Sequence, residues 1–147
     1  GDEKENLISL ADELNVLSDV IFTGAIPQRE VRAYLDMADI FMSLYNLSNC
    51  GNPLFEAMSC GKPIITLDVG DTSSVITNGK NGILLGMDEL NKIPKYINKI
   101  LNNNELADYL GNNAKEYAKK NFWNWNERIQ TEIDVVKKLL NKAEEKK

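Results

Sequence analysis

Residues 38–85 read ADIFMSLYNLSNCGNPLFEAMSCGKPIITLDVGDTSSVITNGKNGILL, and the order of apolar and polar runs within them decides the fold. IFMS (40–43), PIITL (63–67) and GILL (82–85) are short runs, apolar nearly throughout, whereas strands with one wet face would alternate. A polar, glycine-containing loop, YNLSNCGN (45–52), follows the first run. Pro53 then introduces a helix over Leu54–Ser59, which Gly61 stops before the second strand. Buried-type strands separated by helices predict a parallel sheet covered on both faces, an α/β fold of the Rossmann-like, doubly wound kind.

Upstream, VIFT (20–23) is a β-branched and aromatic run closed by Gly24 and reads as another buried strand. Leu7, Leu10, Ala11 and Leu14 are spaced for a helix over 4–16. Pro27 opens a second helix with Val31, Tyr34, Leu35 and Ala38 on one face. Downstream, segments 88–102, 104–121 and 125–143 carry apolar residues at spacings of three and four, so 88–147 reads as helical. The charged end, KKLLNKAEEKK, is expected to be frayed or solvated. No repeat or low-complexity linker divides residues 1–147, which read as one domain.

With 147 residues and 43% hydrophobic content, the chain can bury a core without metals or disulfides. Its net charge of −5 argues against a broad electrostatic footprint for nucleic acid. Cys50 and Cys60, with no His in the chain, suggest neither a disulfide framework nor a zinc cluster, and reduced cytoplasmic thiols are expected. No apolar run is long enough to span a bilayer. The opening GDEKENLISL reads as an exposed turn entering a helix, an abrupt start partway through a domain.

In open parallel sheets ligands bind beyond the carboxyl ends of the strands, so the loops after 23, 43 and 67 matter most. The loop after 43 presents Ser48, Asn49, Gly51 and Asn52 ahead of a helix start, where free backbone N–H groups favour an anion such as phosphate. An ordinary strand-to-helix turn would use Asn and Gly equally well. Glu56 falls in the opening turn of an otherwise apolar helix, where it could either accept hydrogen bonds from ligand hydroxyls or stabilise the helix dipole. The loop Asp68, Gly70, Asp71, Thr72, Ser73, Ser74 reads as a capped turn or as a ligand contact. Packing accounts for both cysteines, and for Trp123 and Trp125 at a helix junction.

Taken together, ADIFMSLYNLSNCGNPLFEAMSCGKPIITLDVGDTSSVITNGKNGILL, VIFTGAIPQREVRAYLDMADI and FWNW resemble the C-terminal, nucleotide-sugar-binding domain of retaining GT-B glycosyltransferases of family 4, the glycosyl transferases group 1. The resemblance runs over nearly the whole chain. It implies a donor site formed by Gly24, Ala25 and Ile26 at the base, and by Ser48, Asn49, Cys50, Gly51, Asn52, Pro53, Leu54 and Glu56 around the sugar phosphate and ribose. Of the two glutamates that grip the donor in the family, Glu56 matches the one on the ribose. The one on the sugar hydroxyls falls on Ser48, and a further acidic position falls on Ser74.

The family's domain begins with two more strand–helix units, which bring an Arg and a Lys to the diphosphate. In the strand order 3-2-1-4-5-6 the units not seen here are the central ones, so the 147 residues are expected to be an inactive part of a longer enzyme. The implied activity is transfer of a sugar from a nucleoside diphosphate sugar to a hydroxyl, with retention and without metal or cofactor. The implied partners are that donor, an N-terminal acceptor domain of the same chain, and a second copy pairing through the exposed sheet edge. No nucleic acid is implied. The expected location is cytoplasmic, peripheral at a membrane in the longer enzyme. A non-catalytic nucleotide-binding or assembly domain is the alternative, favoured by the two serines, while the absence of His speaks against a GT-B-shaped epimerase.

Overall fold

The computed structural model describes residues 2–47, 50–122 and 124–144, organised as two compact units, 1–34 and 35–147. The second unit is built on β1 (Phe41–Ser43), β2 (Ile64–Leu67) and β3 (Ile83–Leu85), all parallel and ordered β1-β2-β3. Phe41 lies opposite Ile64, and Ile65 opposite Ile83. Every residue of the central β2 is buried, the signature of a strand covered on both sides.

Side chains alternate across a strand, and β2 uses this to feed two cores. Ile64 packs with Leu54, Met58, Ile76, Ala114 and Ala118 on one face. On the other, Ile65 and Leu67 join Ile83, Leu85, Ile100 and Leu110. The helices supplying these residues are α3 (Asn52–Ser59), α5 (Ile93–Leu101) and α6 (Asn104–Asn121). A single turn, α4 (Thr72–Val75), lies between β2 and β3, and α7 (Trp125–Glu144) follows α6.

α3 and α6 cross closely because two glycines meet. A Cβ on Gly111 would lie 2.2 Å from the Gly61 carbonyl oxygen, and Gly61 itself has φ +71. Met87–Lys92 is a 3-10 helix and α5 begins only at Ile93, where one continuous helix from 88 was expected. Pro94 has no N–H to bond back to residue 90, so the ladder restarts there. Glu89 closes the preceding turn by accepting from the Gly86 N–H at 3.0 Å.

The first unit holds α1 (Lys4–Glu13), a 3-10 turn at Leu17–Asp19 and the start of α2 (Gln28–Met37). α1 stops short of 16 because Asn15 takes a left-handed conformation, φ 56. VIFT is not a strand. Val20–Thr23 pair with no strand among the described residues, and Ile21 is 85% exposed. A strand exists only by exchanging hydrogen bonds with a neighbour, and the sheet present has the sequential order expected of positions 4-5-6 in 3-2-1-4-5-6, without those that would lie beside position 3. Among the described residues, no helix is long and apolar enough to cross a membrane.

Candidate donor site

The loops after β1 and β2 emerge side by side from the carboxyl edge of the sheet, because the two strands are adjacent and parallel. In the first loop Cys50 is buried, 7% exposed, and held in the left-handed region at φ 57. Gly51 follows as the N-cap of α3 in extended conformation, φ −62 and ψ 159, and no side chain caps the helix. The amides of the first turn are therefore left without a side-chain acceptor, the condition under which a helix start takes an anion. Pro53 adds no donor, and the Leu54 N–H turns back to the Gly51 carbonyl at 3.1 Å. Asn52 and Pro53 are exposed while Leu54, Ala57 and Met58 are buried, so α3 is pinned beneath an open first turn. Ser48 and Asn49 lie outside the described residues.

Glu56 is in the second turn of α3, not the first, because the helix starts at Asn52 rather than Leu54. Helix-dipole stabilisation fades within the first turn, so that explanation of Glu56 weakens. The side chain is partly exposed, and among the described residues its carboxylate makes no hydrogen bond or ion pair.

The second loop is occupied with itself. The Thr72 hydroxyl donates to the Val69 carbonyl at 2.8 Å, and the Ser74 hydroxyl to the Asp71 carbonyl at 2.6 Å. Gly70 turns the chain at φ 55. The two loops meet where buried Cys50 hydrogen-bonds Thr72, which is fully buried. Burial first, and the negative charge of Asp71 second, push the Cys50 thiol above its ordinary value of 9.0, with the Thr72 bond opposing them.

α3 is braced from below. Phe55 stacks on Phe122 with ring centroids 4.6 Å apart, and Tyr117 meets Phe122 edge-on at 6.0 Å. Phe122 thus fills the helix junction assigned to the tryptophans. Trp125 is 75% exposed with the Arg128 guanidinium 5.8 Å from its ring, and Trp123 lies outside the described residues. Lys62 Nζ donates to the Asp36 and Ala38 carbonyls at 2.9 and 3.1 Å, securing the end of α2.

Gly24, Ala25 and Ile26 belong to the first unit, where Gly24 has φ 63 and Gly24 and Ala25 are exposed. A cleft of about 570 Å³ lined by Thr77, Lys80, Asn81 and the end of α6 precedes β3, at the edge of the sheet opposite these loops.

The model of the glycosyl transferases group 1 family matches residues 1–117. The chain belongs to that family. It is 32% identical over 143 residues to an uncharacterized glycosyltransferase of Methanocaldococcus jannaschii, covering 96% of this chain and 36% of the relative. The sucrose-phosphate synthase of Thermosynechococcus elongatus superposes with a TM-score of 0.85 at 27% identity, over 97% of this chain and 35% of that one. Anabaena Alr3699/HepE, crystallised with UDP and glucose, gives a TM-score of 0.81 at 20% identity, over 95% and 37% of the two chains. The group 1 chain described here therefore spans about a third of the length of these proteins, and its fold is that of one part of a GT-B glycosyltransferase.

Proposed function

We propose that this chain forms the donor-binding part of an enzyme that transfers a sugar from a nucleoside diphosphate sugar to a hydroxyl acceptor with retention at the anomeric carbon. The observation that carries the reading is the uncapped start of α3 with the unpaired Glu56 one turn further on. The amides near Gly51 and Asn52 receive the diphosphate, and Glu56 accepts hydrogen bonds from the ribose hydroxyls. Fixed amide dipoles aimed at the leaving diphosphate stabilise the charge that develops as the glycosidic bond breaks. The reading invokes no resident metal or cofactor. The UDP and glucose bound by Anabaena Alr3699/HepE, a protein of the same fold, support a nucleotide-sugar ligand.

In the longer protein, the acceptor and the group that activates it come from an N-terminal domain, and further strands cover the open edge of β1. In the isolated chain the same edge pairs with a second copy. Free Cys50 and Cys60 support a cytoplasmic setting. The test is to incubate the full-length protein with UDP- and GDP-linked sugars, measure release of nucleoside diphosphate, and determine the anomeric configuration of the product. Release with retained configuration is expected. An inverted product contradicts retention, and donor binding without transfer to any acceptor favours the non-catalytic alternative.

A further inference from the structure

We propose that the Asp71 carboxylate determines sugar specificity by accepting hydrogen bonds from the hydroxyls of the donor's sugar. The inference rests on the donor-site reading above and deepens it. Asp71 lies in the loop after β2, next to the strand whose loop leads into α3, and neighbouring strands are about 4.8 Å apart. The contact between Cys50 and Thr72 draws the two loops together, placing Asp71 beside the residue that precedes the α3 cap.

Its backbone is fixed, since both the N–H and the hydroxyl of Ser74 donate to the Asp71 carbonyl, at 3.0 and 2.6 Å. Its side chain is not: the residue is exposed, it makes no side-chain cap on α4, and among the described residues the carboxylate has no hydrogen bond or ion pair. A rigid turn therefore presents an unengaged acceptor at the edge of the candidate site.

The ligand chemistry follows from charge. A carboxylate repels a diphosphate, so it does not share the α3 amides' ligand. It attracts neutral hydroxyl pairs, which it can accept through both oxygens. Thr72 and Ser74 are not alternatives, because their hydroxyls are spent on Val69 and Asp71 carbonyls. Asp68 is exposed too, but no contact ties it to the α3 loop.

The experiment is calorimetric titration of the full-length protein, wild type, Asp71→Asn and Asp71→Glu, with UDP-glucose, UDP-N-acetylglucosamine, GDP-mannose and bare UDP and GDP. Because Asp71 caps nothing, the Asn variant keeps the fold, which its unfolding midpoint checks directly. The proposal expects Asp71→Asn to weaken the best-bound sugar nucleotide tenfold or more while leaving its bare nucleotide within twofold. Asp71→Glu should reorder the three sugar nucleotides. Equal losses for sugar nucleotide and bare nucleotide, or no loss, overturn the role of Asp71 alone. Failure of the wild type to bind any of the five overturns the donor-site reading and this proposal with it.

Discussion

The loops after β1 and β2 leave the same edge of the same sheet, yet they spend their polar groups in opposite ways. The loop after β2 satisfies itself: Thr72 and Ser74 bond to carbonyls three residues back, and the turn would hold with no ligand present. The loop after β1 ends in an uncapped helix and leaves Glu56 without a partner among the described residues, while its one constrained residue, Cys50, leans on the neighbouring loop. The difference separates a loop that supports from a loop that binds. Substitutions in the first kind should change stability, and those in the second should change affinity.

The largest effect is expected where both loops lose their common base. Gly111→Ala puts a methyl 2.2 Å from the Gly61 oxygen, a clash of side chain with backbone that no rotamer relieves. A loss of about 3 kcal/mol or more in denaturant unfolding is expected. Wild-type stability in this variant would break the packing account of α3 on α6.

Thr72→Val sharpens the contrast between the loops. The residue is fully buried and serves both Val69 and Cys50, so removing its hydroxyl should cost about 1–3 kcal/mol of stability. Affinity for nucleoside diphosphate in the full-length protein should stay within about twofold, below the roughly 1.4 kcal/mol that makes a factor of ten. A large affinity loss with unchanged stability would reverse the roles assigned to the loops.

The smallest effect concerns pH. The folded protein holds the Cys50 thiol above its ordinary value of 9.0, so the unfolded chain gives up this proton first. The contribution of Cys50 is complete below that value and declines as pH rises through it. Unfolding midpoints of wild type and Cys50→Ala, followed from pH 7 to 10.5, should show a steeper alkaline decline in the wild type. Parallel profiles would mean that the thiol is not held in its protonated form by its surroundings.

Strands β1 to β3 were legible in the sequence because each apolar run has a neighbour to pair with, and boundaries shifted by only a residue. VIFT has the same composition as GILL, but composition does not carry the identity of a pairing partner, and without one Ile21 stands in solvent. The helix start at the candidate site was legible from Gly51 and Pro53, yet two residues of error in the boundary moved Glu56 from the first turn to the second. The left-handed backbone at Cys50 left no trace in the sequence, since such a conformation is ordinarily signalled by Gly or Asn. The aromatic run FWNW gave the junction but not its occupant: Phe122 turns inward, and Trp125 begins α7 on the outside.

The account's central claim is that the start of α3 and Glu56 together hold the nucleotide part of a donor. Titrating the full-length protein and its Glu56→Gln variant with the nucleoside diphosphate that binds best measures this directly. The substitution keeps the size of the side chain and removes only the charge, so folding should be unchanged while binding weakens by about 1–3 kcal/mol, roughly tenfold to a hundredfold. Equal affinities for wild type and variant would contradict the claim.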